Sequence, residues 1–510
     1  MKRYNFVIYL CVCLLLAACA PAPSVQDVPQ ATACATHTDA DNNWLCDSCG
    51  LDVAVTLDMI AINDLHGKVA DADTHPGVDE LTTYIKHTAA RNDGLVLLSS
   101  GDMWQGSAES NMTQGLITTH WMNEAGVSAM CLGNHEYDWG EDAIRANAEL
   151  ADFPLLAINI YDRQTDRQVT YCESSLIIDK GLVQIGVIGA MGDCYSSISA
   201  DKTRGIYFKT GKELTQLVMA EAESLRQQGA DFIVYMLHDG YGETKGSSVT
   251  QIRGTRLKDY YDTALSDGYV DLVFEGHTHQ RYILQDEHGV YHLQNGGDNK
   301  GISQVTVKLN AANGNHQVQN PKLVASGNYA TLEDDPVVQE LLDKYDDRIS
   351  PALKVVGTNS KERRKNELRQ LVADLYYEVG METWGKEYDI VLGGGFISVR
   401  DPGYLAAGDV TYAMLNGLFP FDNQLVLCSI SGQDLQQRFF ETDHSSYFIS
   451  YGQYGEQVRQ SIDPDGTYYV VVDTYSSTYA PNNLTEIARY EENVFARDLL
   501  ADYIASGAYS

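Results

Sequence analysis

What this chain has little of narrows its function before any motif does. Basic residues are scarce: 36 Lys and Arg stand against 70 Asp and Glu, a formal net charge of −34 over 510 residues. So acidic a surface repels polyphosphate backbones and anionic bilayers, which excludes a nucleic-acid polymer as partner. It would repel a small phosphorylated ligand too, so such a substrate needs a local positive site, which bound divalent ions could supply. Beyond the N-terminus no apolar run is long enough to span a bilayer. No internal repeat is present, and the spacing of the ten cysteines does not describe a disulfide scaffold. The length exceeds that of one domain, so two are expected.

The N-terminus is different. Lys2 and Arg3 precede the apolar run Phe6 to Leu16, and Ala17-Ala18-Cys19 follows. A basic head, a segment too short to span and a small-residue cleavage site make an export signal over 1–19. The motif resembles the bacterial lipoprotein lipobox, which implies lipid on Cys19 and anchoring to the outer face of the cell membrane or in the periplasm. A plain secretory signal is the alternative. Removing Cys11 and Cys13 with the signal and lipidating Cys19 leaves seven cysteines, an odd number.

Residues 20–52 read as a tether, flexible over 20–33. Within 34–49 lie Cys34, His37, Asp39, Asp41, Asn43, Cys46, Asp47 and Cys49. Alternating oxygen side chains suit calcium, and His37 with the three cysteines suits zinc. A merely polar or cross-linked linker is the third reading.

From Val53 the rhythm changes. Short β-branched runs (56–62, 94–99, 129–132, 184–188, 231–237, 271–274) alternate with amphipathic stretches such as 78–91 and 212–228. This predicts a layered α/β domain with its site beyond the carboxyl ends of the strands. Asn63-Asp64-Leu65-His66, Gly101-Asp102, Gly133-Asn134-His135-Glu136-Tyr137-Asp138, Leu237-His238 and Gly276-His277-Thr278-His279 follow such runs. Asp64 and His66, like His277 and His279, are two apart, so in extended geometry each pair points one way. Asp64, His66, Asp102 and His279 can complete one metal sphere; Asp102, Asn134, His238 and His277 can complete a second. A shared carboxylate and mixed imidazole and oxygen donors suit two ions of zinc, manganese, cobalt or iron. Asp138 either orients His135 or caps a helix over 139–150.

This ordered set resembles the calcineurin-like metallophosphoesterase superfamily. The resemblance implies a four-layer αββα catalytic domain over 53–330 and in-line hydrolysis at phosphorus. It casts His135 as the group that stabilises the transition state or protonates the leaving oxygen. A charged connecting helix is expected over 331–350, with domain motion about it, and a smaller α/β domain over 351–510. Asp389-Ile-Val-Leu-Gly393-Gly394-Gly395, Pro420-Phe421 and the run ending Asp473-Thr474-Tyr475 resemble the C-terminal domain of 5′-nucleotidases. That resemblance implies a base stacked between Phe421 and Tyr475, with Arg400, Arg363 or Arg364 and the Gly394 segment on ribose and phosphate. Core packing is the competing role for both rings. Two departures stand out: Leu392 precedes the glycines where the family has asparagine, and Ala480-Pro481-Asn482-Asn483 replaces a glycine-rich segment.

The expected function is an extracytoplasmic two-metal 5′-nucleotidase, or a UDP-sugar or dinucleotide hydrolase, serving nucleoside salvage. The alternatives are a 2′,3′-cyclic nucleotide 2′-phosphodiesterase with 3′-nucleotidase activity and a non-catalytic surface binding protein on the same fold. The completeness of the motif set argues against the last.

Overall fold

The computed structural model describes residues 36–71, 76–240, 269–286, 288–400, 402–441, 447–478 and 483–507. The export signal with Cys19, the tether through Cys34 and the Ala480–Asn482 departure lie outside the described residues.

Ala54–Ile62 and Phe232–His238 read as nearly unbroken apolar runs because both faces of each strand are covered. Ala54–Ile62 lies inside a six-stranded sheet, parallel to Leu95–Ser99 and antiparallel to Gly301–Asn310. Phe232–His238 lies inside a second six-stranded sheet, parallel to Gln184–Met191 and Leu272–Glu275. Leu57, Met59, Val96 and Leu98 of the first sheet meet Val187, Val234, Met236 and Phe274 of the second. The alternate residues face outward onto helices. Ile60, Ile62 and Leu97 pack on the helices Asp79–Ala89 and Leu116–Ala125, while Ile233, Tyr235 and Leu237 pack on Gly211–Gln227. The result is four layers, helix–sheet–sheet–helix, as expected.

Sequence periodicity did not disclose the hairpins Tyr282–Gln285/Tyr291–Gln294 and Gly301–Asn310/His316–Ala325 that complete the two sheets. His316–Ala325 is an edge strand, largely polar and carrying Pro321, so it offers no apolar run.

A second unit has its own five-stranded sheet, with Ile390–Phe396, Thr467–Asp473 and Leu425–Ser431 at its centre. The helices Lys365–Trp384 and Ala496–Ser506 cover one face through Ile390, Leu427 and Val471. Val391, Val426 and Val472 build a separate core on the other face.

The connector expected over 331–350 packs onto the first unit. Its helices Val337–Lys344 and Asp346–Ile349 send Val337, Val338, Leu341 and Ile349 into the first unit's core, and Lys86 pairs with Asp335 at 2.6 Å.

Candidate active site

Every motif loop leaves the carboxyl end of a strand: Asn63 follows Ile62, Ser100 follows Ser99, Leu132 follows Cys131, and Gly276 follows Glu275. His238 is itself the last residue of its strand. One expectation is corrected here. Asp64, His66, His277 and His279 do not project from extended chain; their φ angles are +50°, +52°, +68° and +52°, and that of Asp102 is +55°. Left-handed backbone at five non-glycine positions turns the side chains inward more tightly than a pleat could. Cross-loop hydrogen bonds hold it: Asp64 N–H donates to Gly101 O (2.9 Å), and His66 N–H to Asp102 O (3.0 Å). Gly133 admits no side chain, since a Cβ there would lie 2.4 Å from Asp102 Oδ1.

The donors converge. His279 Nε2 lies 3.2 Å from Asp64 Oδ1 and 3.1 Å from His66 Nε2. His238 Nε2 lies 3.2 Å from Asp102 Oδ2 and 3.3 Å from Asn134 Oδ1, and His277 Nδ1 lies 2.9 Å from the same asparagine oxygen. Backbone carbonyls fix the tautomers: His66 Nδ1–H donates to Gln105 O (2.8 Å) and His238 Nδ1–H to Ser100 O (2.6 Å). Their Nε2 lone pairs thus point at other acceptors, an arrangement that repels itself unless a cation stands among them. The set fits divalent ions on that ground.

The electrostatics of the chain alone agree. Burial would raise Asp64 and Asp102, but the charge of His279 beside one and of His238 beside the other holds both carboxyls below their usual range. Burial works against a proton on His238, yet Asp102 and Asp64 push it up to about 10. His277 falls to about 4 through burial and the His238 charge.

His135 Nδ1 sits 2.8 Å from Asp138 Oδ2. The capping role for Asp138 is overturned: the helix begins at Glu141 and its cap is Gly140, φ +80°. Asp138 ends a short 3₁₀ turn, Asn134–Tyr137, and its carboxylate faces the imidazole. His135 Nε2 accepts from Arg400 Nη2 at 3.0 Å. Sequence reasoning gave Glu136 no role, yet this buried carboxylate accepts N–H bonds from Asp102 (2.8 Å), Met103 (2.9 Å), Trp104 (3.3 Å) and Gly133 (2.7 Å). It fastens the Asp102 and Asn134 loops together.

Beside this centre opens a cavity of about 310 Å³ between the two units. Asn134, His135, Asp138 and His277 line it from the first unit, and Arg400, Phe421 and Tyr475 from the second. Phe421 stacks near His135, centroids 5.9 Å apart at 28°, and the Arg400 guanidinium lies 5.1 Å above the Phe421 ring. Arg363, Arg364 and Gly394 do not line this cavity. Arg363 is buried against Asn359, Arg364 pairs with Glu362 at 3.1 Å, and Gly394 (φ +135°) lies against the Phe448 carbonyl. Sequence reasoning missed Phe396, whose ring sits 5.6 Å from Tyr475, and Lys202, which brings positive charge from the first unit. It also missed Arg497, whose guanidinium binds Asp422 (2.5 Å) and Phe419 O (3.1 Å) and so fixes the Phe421 loop. Phe396 directly follows the glycine run, a signal that was available; Arg497 had none.

Residues 59–281 match the family model of calcineurin-like phosphoesterases. Protein UshA of Yersinia enterocolitica is 26% identical over 480 residues, 85% of this chain and 82% of that protein. A 5′-nucleotidase of Vibrio cholerae is 25% identical, covering 75% of each chain. Among solved structures, a 5′-nucleotidase precursor from Thermus thermophilus superposes with a TM-score of 0.65 at 17% identity, over 89% of this chain and 96% of that one. The sulfate thiohydrolase SoxB of the same organism does so at 0.61 and 16%, over 88% and 94%. The two-unit fold is therefore shared by proteins of different chemistry, and the site must carry the functional argument.

Proposed function

We propose that this chain, whose residues 59–281 match the family model of calcineurin-like phosphoesterases, is a metal-dependent phosphoester hydrolase that releases phosphate from nucleotides. It acts as a 5′-nucleotidase, with UDP-sugars and dinucleotides as further substrates, outside the cytoplasm and in nucleoside salvage. The observation that carries this reading is the single cavity joining the imidazole–carboxylate centre to Phe421, Tyr475 and Arg400. A generic phosphatase needs no aromatic and cationic wall there. Base stacking on such rings contributes roughly 1–3 kcal/mol per base while tolerating several bases.

Asp64, His66, Asp102 and His279 would hold one divalent ion and Asp102, Asn134, His238 and His277 the other, from the zinc, manganese, cobalt or iron group. Bound there, the pair would polarise the phosphoryl group and activate water. The chain's own residues do the rest. Asp138 holds the Nδ1 proton of His135, leaving Nε2 to face the leaving oxygen. Arg400 now donates to that nitrogen, so the guanidinium must move aside and Nε2 must carry a proton before it can donate to a substrate oxygen. The freed guanidinium is then beside the substrate's anionic groups, where a fork of donors suits phosphate. Asn423 and Asp473, bonded at 3.2 Å, brace the aromatic wall. The export motif at Cys19 supports extracytoplasmic anchoring through lipid, which metabolic labelling with palmitate tests in wild type and Cys19→Ala.

The deciding experiment measures phosphate release from AMP, UDP-glucose, NAD, 2′,3′-cyclic AMP and an aryl phosphate with manganese, cobalt or zinc. Activity on the aryl phosphate alone overturns the nucleotide reading, and preference for the cyclic substrate replaces it with the cyclic phosphodiesterase. Full activity of an Asp102→Ala, His277→Ala double variant overturns the two-ion centre.

A further inference from the structure

The catalytic reading leaves the segment before the first strand unused, although it is built with care. His37, Cys46 and Cys49 place one ligand atom each within 4.8 Å of one another, and Cys49 Sγ lies 3.7 Å from His37 Nδ1. Cys46 is 2% exposed. The two cysteines bracket a tight turn in which Gly50 N–H donates to Cys46 O (2.7 Å) and Cys46 N–H to Leu51 O (2.8 Å), with Gly50 at φ +70°. Asp47 N–H reaches back to Thr38 O (2.7 Å) and brings His37 to the turn.

We propose that His37, Cys46 and Cys49 form a structural zinc-type site, separate from the catalytic centre, that locks the N-terminal segment onto the catalytic unit. Two soft sulfurs and one imidazole are the donors zinc prefers, and they leave one position of a tetrahedral ion for a fourth ligand. The amides of Thr38, Ser48 and Cys49 surround the Cys46 sulfur, with His37 beside it. Thiolate is the form that binds metal, and N–H donors on sulfur are the support such ligands require.

The neighbouring acidic residues do a different job. Asp39 accepts from the Asn43 N–H (3.1 Å), the Trp44 N–H (2.9 Å) and Asn310 Nδ2 (2.6 Å). Asp47 accepts from the Ala40 N–H (2.9 Å), and Asp41 from the Asn43 backbone and side chain. These oxygens are turned toward N–H donors, which shapes the loop without calcium. The same loop docks on the hairpin 310–316. Asn313 Nδ2 donates to Asp39 O (2.8 Å), Lys308 Nζ lies 4.0 Å above the Trp44 ring, and Ala311 N–H donates to Val53 O (2.9 Å). A metal that fixes the turn therefore fixes where the tether leaves the enzyme.

The test is cobalt substitution of the full chain, purified reduced. The expected result is a thiolate-to-cobalt charge-transfer band, with about three ions per chain once the catalytic pair is filled. Cys46→Ser and Cys49→Ser should each lose the band and about one ion while phosphate release stays within about 2-fold, and limited proteolysis should newly cut within 36–52. Cys194→Ala, which removes the thiol grouped with His238 and His277, should keep the band. Absence of the band from the wild-type chain overturns the proposal even where the serine variants fail to fold. So does a Cys46–Cys49 disulfide in the purified protein, loss of the band in Cys194→Ala, or binding of calcium alone that Asp39→Asn abolishes.

Discussion

Glu136→Gln is the substitution that most directly probes how the metal loops are held. The glutamate is fully buried, and its two oxygens accept four backbone N–H groups at 2.7–3.3 Å. Glutamine keeps the shape but retains one acceptor oxygen, which can serve two of them. The other two would face an NH₂ group with nothing to accept. A buried N–H left without a partner costs about 1–3 kcal/mol, so the pair costs about 2–6 kcal/mol. That is a large part of the about 5–15 kcal/mol that holds an ordinary domain folded. Urea denaturation followed by tryptophan fluorescence measures it, since Trp104 and Trp121 are buried in the same core. The midpoint should fall at unchanged slope. Metal affinity should fall with it, because Asp102 and Asn134 lose their common anchor. A loss below about 0.5 kcal/mol with full metal content would refute the reasoning, for it would mean these N–H groups need no carboxylate.

Four further outcomes follow from the geometry. His292 is buried beside Glu275 (2.9 Å) and Asp286 (3.8 Å), and although burial opposes it, these carboxylates raise its pKa to about 9. The raised value stabilises the fold fully below the unfolded value of 6.5 and is lost as pH rises to about 9. Stability should drop by about 3 kcal/mol across that window, and His292→Gln should flatten the slope. Asp138→Asn should lower kcat about 10²-fold with KM little changed, since it disturbs the orientation of His135 and not substrate stacking. Phe421→Ala should raise KM for AMP about 10-fold and leave an aryl phosphate unaffected, whereas equal losses on both would deny it a base contact. Chelation should abolish phosphate release and lower Tm, with manganese, cobalt or zinc restoring both.

How much of this was legible depends on which side of a chain element carries the information. Phe232–His238 and Ala54–Ile62 announced themselves because burial on both faces demands unbroken apolar sequence. The helix Gly211–Gln227 was legible from Leu214, Val218, Ala222 and Leu225, a stripe at helical spacing. The motif residues were legible because their chemistry is rare in combination. Their backbone was not: the preference of Asp and His for left-handed φ is too weak to single out Asp64 or His279, and the two-residue spacing suggested a pleat instead. Residues that act through others were silent. Arg497 looks like any charged residue of a C-terminal helix until its bonds to Asp422 and Phe419 are seen. The arginines at 363 and 364 show the converse, because a resemblance in sequence order did not bring them to the cavity.

The left-handed ligands also explain how a chain so acidic keeps a usable site. For a residue with a Cβ, that conformation costs roughly 1–2 kcal/mol, somewhat less for Asp and His, which tolerate it better than most. Five such positions form in one place only because the surrounding loops determine them. Asp64 donates to Gly101, His66 to Asp102, and Asp298 back to Asp64 O at 2.7 Å, while Glu136 holds the far side. Backbone hydrogen bonds therefore organise the ligand shell. Its carboxylates and lone pairs are held together against their mutual repulsion, which concentrates negative potential at one point. Cations are drawn to that point, and once bound they reverse its sign locally. An anionic phosphate can then approach a protein whose remaining surface would turn it away.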